Sequence, residues 1–317
     1  MENIVTIGGG TGSFNILNAL VKHPVHLTAV VSMADDGGSS GMLRDQYGVL
    51  PPGDVRRALV ALSESSDVMR NLFNYRFKNG SLRDHAFGNI FLSALEKVTG
   101  DFGSALREAS NILNIRGEVA PVTLDDVRLS ARLADGKIIR GETNIDIPRE
   151  LRRSPIQEVW LEPEAAINPS LRRILKNADL IVIGPGDLYT SIIPNLLVKG
   201  VREEIKKSKA KKVFICNLMT KRGETDGFTG DDFLKVIESY LGKDILDFAM
   251  FNTKRPSERL LKKYHREGAE LVSPPGGTKH DQVKYILGDF IDSDVLVRHG
   301  PKRKIAKLLL SLARGPY

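Results

Sequence analysis

The sequence predicts an α/β protein: a doubly wound, mostly parallel sheet covered by helices, with a small antiparallel β subdomain inserted in its middle. Three observations carry this. Apolar strands alternate with helical patterns along the 317 residues. Several strands are apolar throughout, as expected where both sheet faces are covered. Only over 118–161 does the texture change to closely spaced strands. The chain therefore reads as one domain, 1–317, with 118–161 as a β-rich insertion.

The first strand, Ile4-Val5-Thr6-Ile7, runs into Gly8, Gly9, Gly10, Thr11, Gly12 and Ser13, and a helical pattern follows through Leu20. Glycines at a strand-to-helix corner let the backbone approach a ligand with no Cβ in the way. The helix that starts there offers unpaired N–H groups and the positive end of its dipole, which suits phosphate. A tight βα turn needing glycine only for geometry is the alternative. No Lys-Ser/Thr pair follows at Walker A spacing. The Rossmann fingerprint G-x-G-x-x-G/A is met at Gly8 and Gly10, but Ser13 holds the third position.

The second strand, from His26 to Val31, leads into Asp35 and Asp36 within a run of small residues, 32–41. In a Rossmann-like protein an acid about 20 residues past the glycines holds a ribose hydroxyl. Paired carboxylates in a small-residue loop equally suit Mg²⁺ beside a diphosphate, and a solvated turn is the plain reading. Nucleotide binding is expected, with NAD not specified.

Helices are expected over 53–63, 67–75, 85–98 and 104–113, the third largely buried through Ile90, Leu92, Ala94, Leu95 and Val98. In the insertion, residues 127–133 alternate apolar and polar, Asp135-Gly136 makes a hairpin turn, and 137–142 returns. The α/β rhythm resumes with the apolar strand 179–183, which ends in Gly184-Pro185-Gly186-Asp187, a second glycine corner. Strand 212–216 leads into a polar stretch beginning at Asn217 and ending at Phe228, and 248–252 is a further strand with a polar end. These polar residues gather at the carboxyl ends of strands, where open α/β sheets place ligands.

The single cysteine, Cys216, ends an apolar strand, which excludes disulfides and reads as a buried structural thiol. No signal peptide and no apolar run near 18 residues is visible, so a cytoplasmic protein without a transmembrane segment is expected. The net charge of +7 is spread over helix surfaces and mixed with acids, with few aromatics and no nucleic-acid motif. A solvated surface with attraction for an anionic ligand accounts for it, and no nucleic-acid partner is expected.

Seven blocks carry a resemblance: IGGGTG from Ile7, ADDGGSSGMLR from Ala34, LPPGDVRRAL from Leu50, HAFGNIFLSAL from His85, GPGDLYTSIIPNLLV from Gly184, NLMTKRGETDGF from Asn217 and RHGPKRKIA from Arg298. In this order, over essentially the whole length, they resemble the bacterial YvcK-type gluconeogenesis factor family within the CofD-like superfamily. The resemblance implies a cytoplasmic, non-catalytic protein that binds UDP-sugars, notably UDP-N-acetylglucosamine. It also implies support of cell shape and envelope synthesis on gluconeogenic carbon sources, through a protein partner the sequence does not identify. Homo-oligomerisation stays open. The expected ligand-binding residues are Gly8, Gly9, Gly10, Thr11, Gly12, Asp35, Asp36, Gly184, Gly186, Asn217 and Arg298, whose guanidinium could grip a diphosphate bidentately.

The alternative comes from the superfamily's enzymes. CofD-type 2-phospho-L-lactate transferases share the glycine-rich start and acidic loop, and use Mg²⁺ to join phospholactate to a deazaflavin. Asp35 or Asp36 would match their metal-binding acid. The blocks after Gly53 and at the C-terminus, and the scarcity of aromatics to stack on a deazaflavin, depart from that pattern. In the YvcK pattern the tail carries an acid where Gly300 stands here. For acid–base chemistry the candidate pair is His85 with Asp54, although His85 beside Asp84 reads as a helix cap or packing residue. No Cys cluster is present.

Overall fold

Strand β1 (Asn3–Gly8) is the centre around which the molecule is built. In a computed structural model, which describes residues 1–148, 153–276, 282–291 and 302–315, β1 pairs in parallel with β2 (His26–Val31) on one side. Beyond β2 lies β3 (Glu118–Pro121). The insertion holds β4 (Arg128–Leu133), β5 (Ile138–Arg140) and β6 (Ile156–Glu162). On the other flank of β1 follow β7 (Leu180–Ile183), β8 (Lys211–Ile215), β9 (Phe248–Asn252) and β10 (Lys284–Gly288). The seven-stranded sheet has the order β10-β9-β8-β7-β1-β2-β3, and all its pairings are parallel. The chain reverses direction across the sheet between β1 and β7, so the crevice for a ligand opens there.

The strands are apolar because helices cover both faces. Every residue of β7 is fully buried. Helix Gly10–Leu20 packs on Gly53–Leu62 and on Lys302–Arg314. Cys216 is buried after β8, and burial pushes its thiol above the ordinary range. No helix among the described residues is long and apolar enough to cross a membrane.

The expected insertion boundary needs correction. β3 belongs to the main sheet, and only β4, β5 and β6 form the small antiparallel sheet, in the order β5-β4-β6. A four-residue strand is too short for periodicity to separate a buried edge from a hairpin arm. Asp135 and Gly136 do make the β4–β5 turn. Edge strand β6 is anchored to the body where the Val159 N–H donates to the Tyr240 hydroxyl at 2.9 Å.

Two other expectations change. The helix expected over 85–98 spans Phe87–Thr99 and buries Gly88, Asn89, Leu92 and Ser93, leaving Val98 82% exposed. Of this buried set only Asn89 lines the cavity described below. The run 32–41 does not stay a loop, because helix Gly38–Tyr47 begins within it. β10 was not among the strands expected from the sequence.

The two glycine corners pack directly on each other. A Cβ at Gly12 would overlap the Pro185 carbonyl oxygen. Neither backbone can yield without moving a central strand. Gly12→Ala is expected to destabilise the fold by about 1–3 kcal/mol, read as a lower urea midpoint with an unchanged slope.

Candidate functional site

At the carboxyl ends of β1, β2 and β7 lies a cavity of about 420 Å³, lined on its β1 side by Gly9, Gly10 and Thr11. Gly9 is extended and precedes the helix start at Gly10. The Gly10 N–H, expected to face a ligand, donates at 3.0 Å to Asp54, whose carboxylate would overlap any Cβ at Gly9. The helix N-terminus thus already has one anion beside it. Burial pushes the Asp54 carboxyl up to about 6 against the pull of Arg57, with Asp35 adding to the rise.

The two acids after β2 have different surroundings. Asp35 lines the cavity, accepts the Gly37 N–H at 2.9 Å, and crowds Gly53 together with Ser40. Asp36 accepts the N–H groups of Glu142 and Thr143 at 3.0 and 2.9 Å, and lines a neighbouring hollow with Arg128 and Arg140. It anchors the short helix Glu142–Asp146 of the insertion. At the second corner Gly186 lines the cavity while Gly184 sits behind it. Asn217 clasps Gly186 from both sides, accepting its N–H at 3.2 Å and donating to its carbonyl at 2.8 Å. Its amide is buried and fixes the corner's shape. Gly8 and Gly12 belong to the packing behind the loop, and Arg298, His299 and Gly300 lie outside the described residues.

Helix Gly53–Leu62 supplies two cavity arginines, Arg56 and Arg57, that were not among the expected ligand-binding residues. Arg57 stands 3.5 Å from Asp54. Arg56 is 6% exposed and donates to Asn89 at 2.9 Å, to Asn74 at 2.6 Å and to the Phe73 carbonyl at 3.5 Å. All three acceptors are neutral. Burial, with Arg57 and Arg76 nearby, lowers its pKa to about 10, so it stays charged at neutral pH. Arg76, the third arginine of the wall, donates to the Asp84 carbonyl.

The opposite wall comes from the insertion. Glu142 and Asp146, one turn apart on the same helix, both line the cavity. Burial, then Asp35, Asp146, Asp36 and Asp54, push the Glu142 carboxyl up to about 10. The other end of the helix is held by Lys221. Its ammonium contacts Asp146, Asp187 at 2.7 Å and Glu224 at 2.9 Å. Glu224 is fully buried and also accepts the Tyr189 N–H at 3.1 Å. The three carboxylates lie close enough to hold a metal ion, but the lysine supplies the positive charge among them. Burial works against the Lys221 charge, yet the three acids outweigh it and raise its pKa. Helix Glu142–Asp146 therefore straps the crevice, tied to the β2 loop at one end and to the β7 and β8 loops at the other.

His85 and Asp54 do not form the expected pair. The His85 ring lies 3.3 Å from the Ser39 hydroxyl, and the helix after it is capped at Ala86 without a side chain. The packing role holds and the cap does not.

Fold and cavity define the class: a doubly wound α/β protein of Rossmann-like topology with a charged crevice at its switch point. Within that class, the family model described as 2-phospho-L-lactate transferase CofD matches residues 4–291. The chain is 40% identical to the Gluconeogenesis factor of Bacillus subtilis, covering 98% of each chain. It is 42% identical to that of Listeria monocytogenes, covering 98% of this chain and 95% of the relative. A crystal structure of a Bacillus halodurans protein superposes with a TM-score of 0.92 at 40% identity, over 98% of both chains. This chain belongs to the CofD family, on the branch of the gluconeogenesis factors.

Proposed function

We propose that the chain is a nucleotide-sugar-binding regulator whose ligand is UDP-N-acetylglucosamine, acting in the cytoplasm on cell shape and envelope synthesis under gluconeogenic growth through a protein partner. The carrying observation is the cavity itself. It sits at the switch point of a parallel sheet, where the fold directs ligands, and joins a glycine corner to a wall of arginines. Its volume of about 420 Å³ is in the range of small-molecule sites. The relatives' name, Gluconeogenesis factor, supports the gluconeogenic setting.

A second reading, a Mg²⁺-dependent transferase of the CofD kind, is favoured by one observation. Asp35 and Asp54 both line the cavity beside Gly53, and burial, with Asp35 adding to it, raises the Asp54 carboxyl to about 6. This oxygen donor set fits a hard cation. Bound there, Mg²⁺ would supply charge neutralisation for a phosphoryl group. Among the described residues, no aromatic side chain lines the cavity to stack on a deazaflavin.

Calorimetric titration with UDP-N-acetylglucosamine, in Mg²⁺ and in EDTA, separates the two. Saturable binding that survives chelation is expected. An affinity that collapses in EDTA moves the assignment to the transferase, and no binding in either buffer removes the UDP-sugar reading.

A further inference from the structure

We infer that Arg56, with Arg57 and Arg76, forms the anion anchor of the cavity and takes the diphosphate of the ligand. The inference rests on the nucleotide-sugar reading and adds residues to it. Arg56 is 6% exposed, and no carboxylate among the described residues forms an ion pair with it. Its Nε and Nη1 donate to Asn89, Asn74 and the Phe73 carbonyl, which orient the guanidinium plane, while Nη2 donates to no described protein atom. A buried charge held only by neutral oxygens costs several kcal/mol in isolation. A second and a third arginine on the same wall add repulsion. Such an arrangement suits an anion that arrives from outside and can accept from the guanidinium fork.

The glycine corner alone does not account for that anion. Its Gly10 N–H is committed to Asp54, whose charge repels phosphate from that spot. Arg57 offsets Asp54, with Nη1 3.7 Å from where a Cβ at Gly10 would stand. A diphosphate lying between the corner and the helix Gly53–Leu62 meets Arg57 first and Arg56 deeper in. Across the cavity, the carboxylates of Asp146 and Asp187 offer oxygen acceptors, which suit hydroxyl groups and not phosphoryl oxygens. The polarity of the cavity thus orients the ligand, with diphosphate on the arginine wall and sugar hydroxyls on the strap.

The test uses two probes, UDP-N-acetylglucosamine and inorganic pyrophosphate, on the full chain and on Arg57→Gln, Arg76→Gln and Arg56→Lys. Arg57 is 46% exposed, so its variant keeps the fold even if the Arg56 variant does not. Each variant is expected to bind both probes at least tenfold more weakly, with a shallower dependence of affinity on salt. Wild-type binding of UDP-N-acetylglucosamine with unchanged affinity in Arg57→Gln and Arg76→Gln overturns the anchor and leaves the function standing. Wild-type binding of pyrophosphate alone, lost in the same variants, supports the anchor and overturns the UDP-sugar reading. A wild type that binds neither probe overturns both.

Discussion

Replacing Lys221 with methionine is expected to destabilise the protein by about 3–5 kcal/mol at pH 8, the cost of stripping the counter-charge from buried carboxylates. The side chain is only 12% exposed, and Glu224 beside it is fully buried. Methionine keeps the volume of the stem and removes only the charge. Three acids from three segments then face one another across the strap, and each disfavours ionisation of the others. Glu224, whose carboxyl burial already pushes up to about 7, is the first to take a proton. The loss should therefore be clearly smaller at pH 5.5 than at pH 8, and Glu224→Gln in the same chain should recover part of it. Urea unfolding at the two pH values measures this. Equal losses at both would show that Lys221 acts through packing alone.

The second large effect concerns Glu142. Its folded pKa is raised from 4.5 to about 10, chiefly by burial and then by Asp35. A raised carboxyl contributes stability that is full below the unfolded value and fades as pH climbs toward the folded one. Wild-type stability should thus decline from about pH 4.5 upward, with the loss complete near pH 10. Even two units of such a shift correspond to about 2.7 kcal/mol. Glu142→Gln keeps the shape and removes the titration. Its melting temperature in EDTA-containing buffer should exceed that of the wild type at pH 9 and match it near pH 4.5. Parallel melting curves for the two proteins across this range would contradict the buried, neutral acid.

Most of the fold was legible because its signals are local. Strands β1, β7 and β9 are continuous apolar runs, and the glycine corners announce the turns beside them. β3 and β10 were not, since four or five residues at a sheet edge carry no period of their own. The site divides the same way. Gly9, Gly10, Thr11, Asp35 and Gly186 line the cavity. Asn217 is engaged with Gly186, and Asp36 with the insertion helix. Arg56 and Glu142 were not singled out, and Asp54 was expected only beside His85, for a common reason. Each looks like an ordinary charge on a helix or hairpin, and its meaning comes from burial that only tertiary packing creates. The Asp54–Arg56–Arg57 spacing after two prolines held the one available signal, a helix opening with charge where an apolar face was needed.

The strand order has a consequence for how the protein is made. β1 finds its partner β2 as soon as Val31 has left the ribosome, but its other edge waits for β7, which begins at Leu180. Synthesis proceeds at roughly 5–20 residues per second, so for many seconds β1 is a sheet edge with one side unpaired. During that interval the glycine corner and the arginine wall exist without the second corner, and the strap has no Lys221 to hold it. The last residues lining the cavity come at Ser191, and the strap is tied down only when Lys221 and Glu224 have emerged. Any ligand of this cavity can thus stabilise the finished chain alone, and an N-terminal fragment ending before β7 gains nothing from its presence.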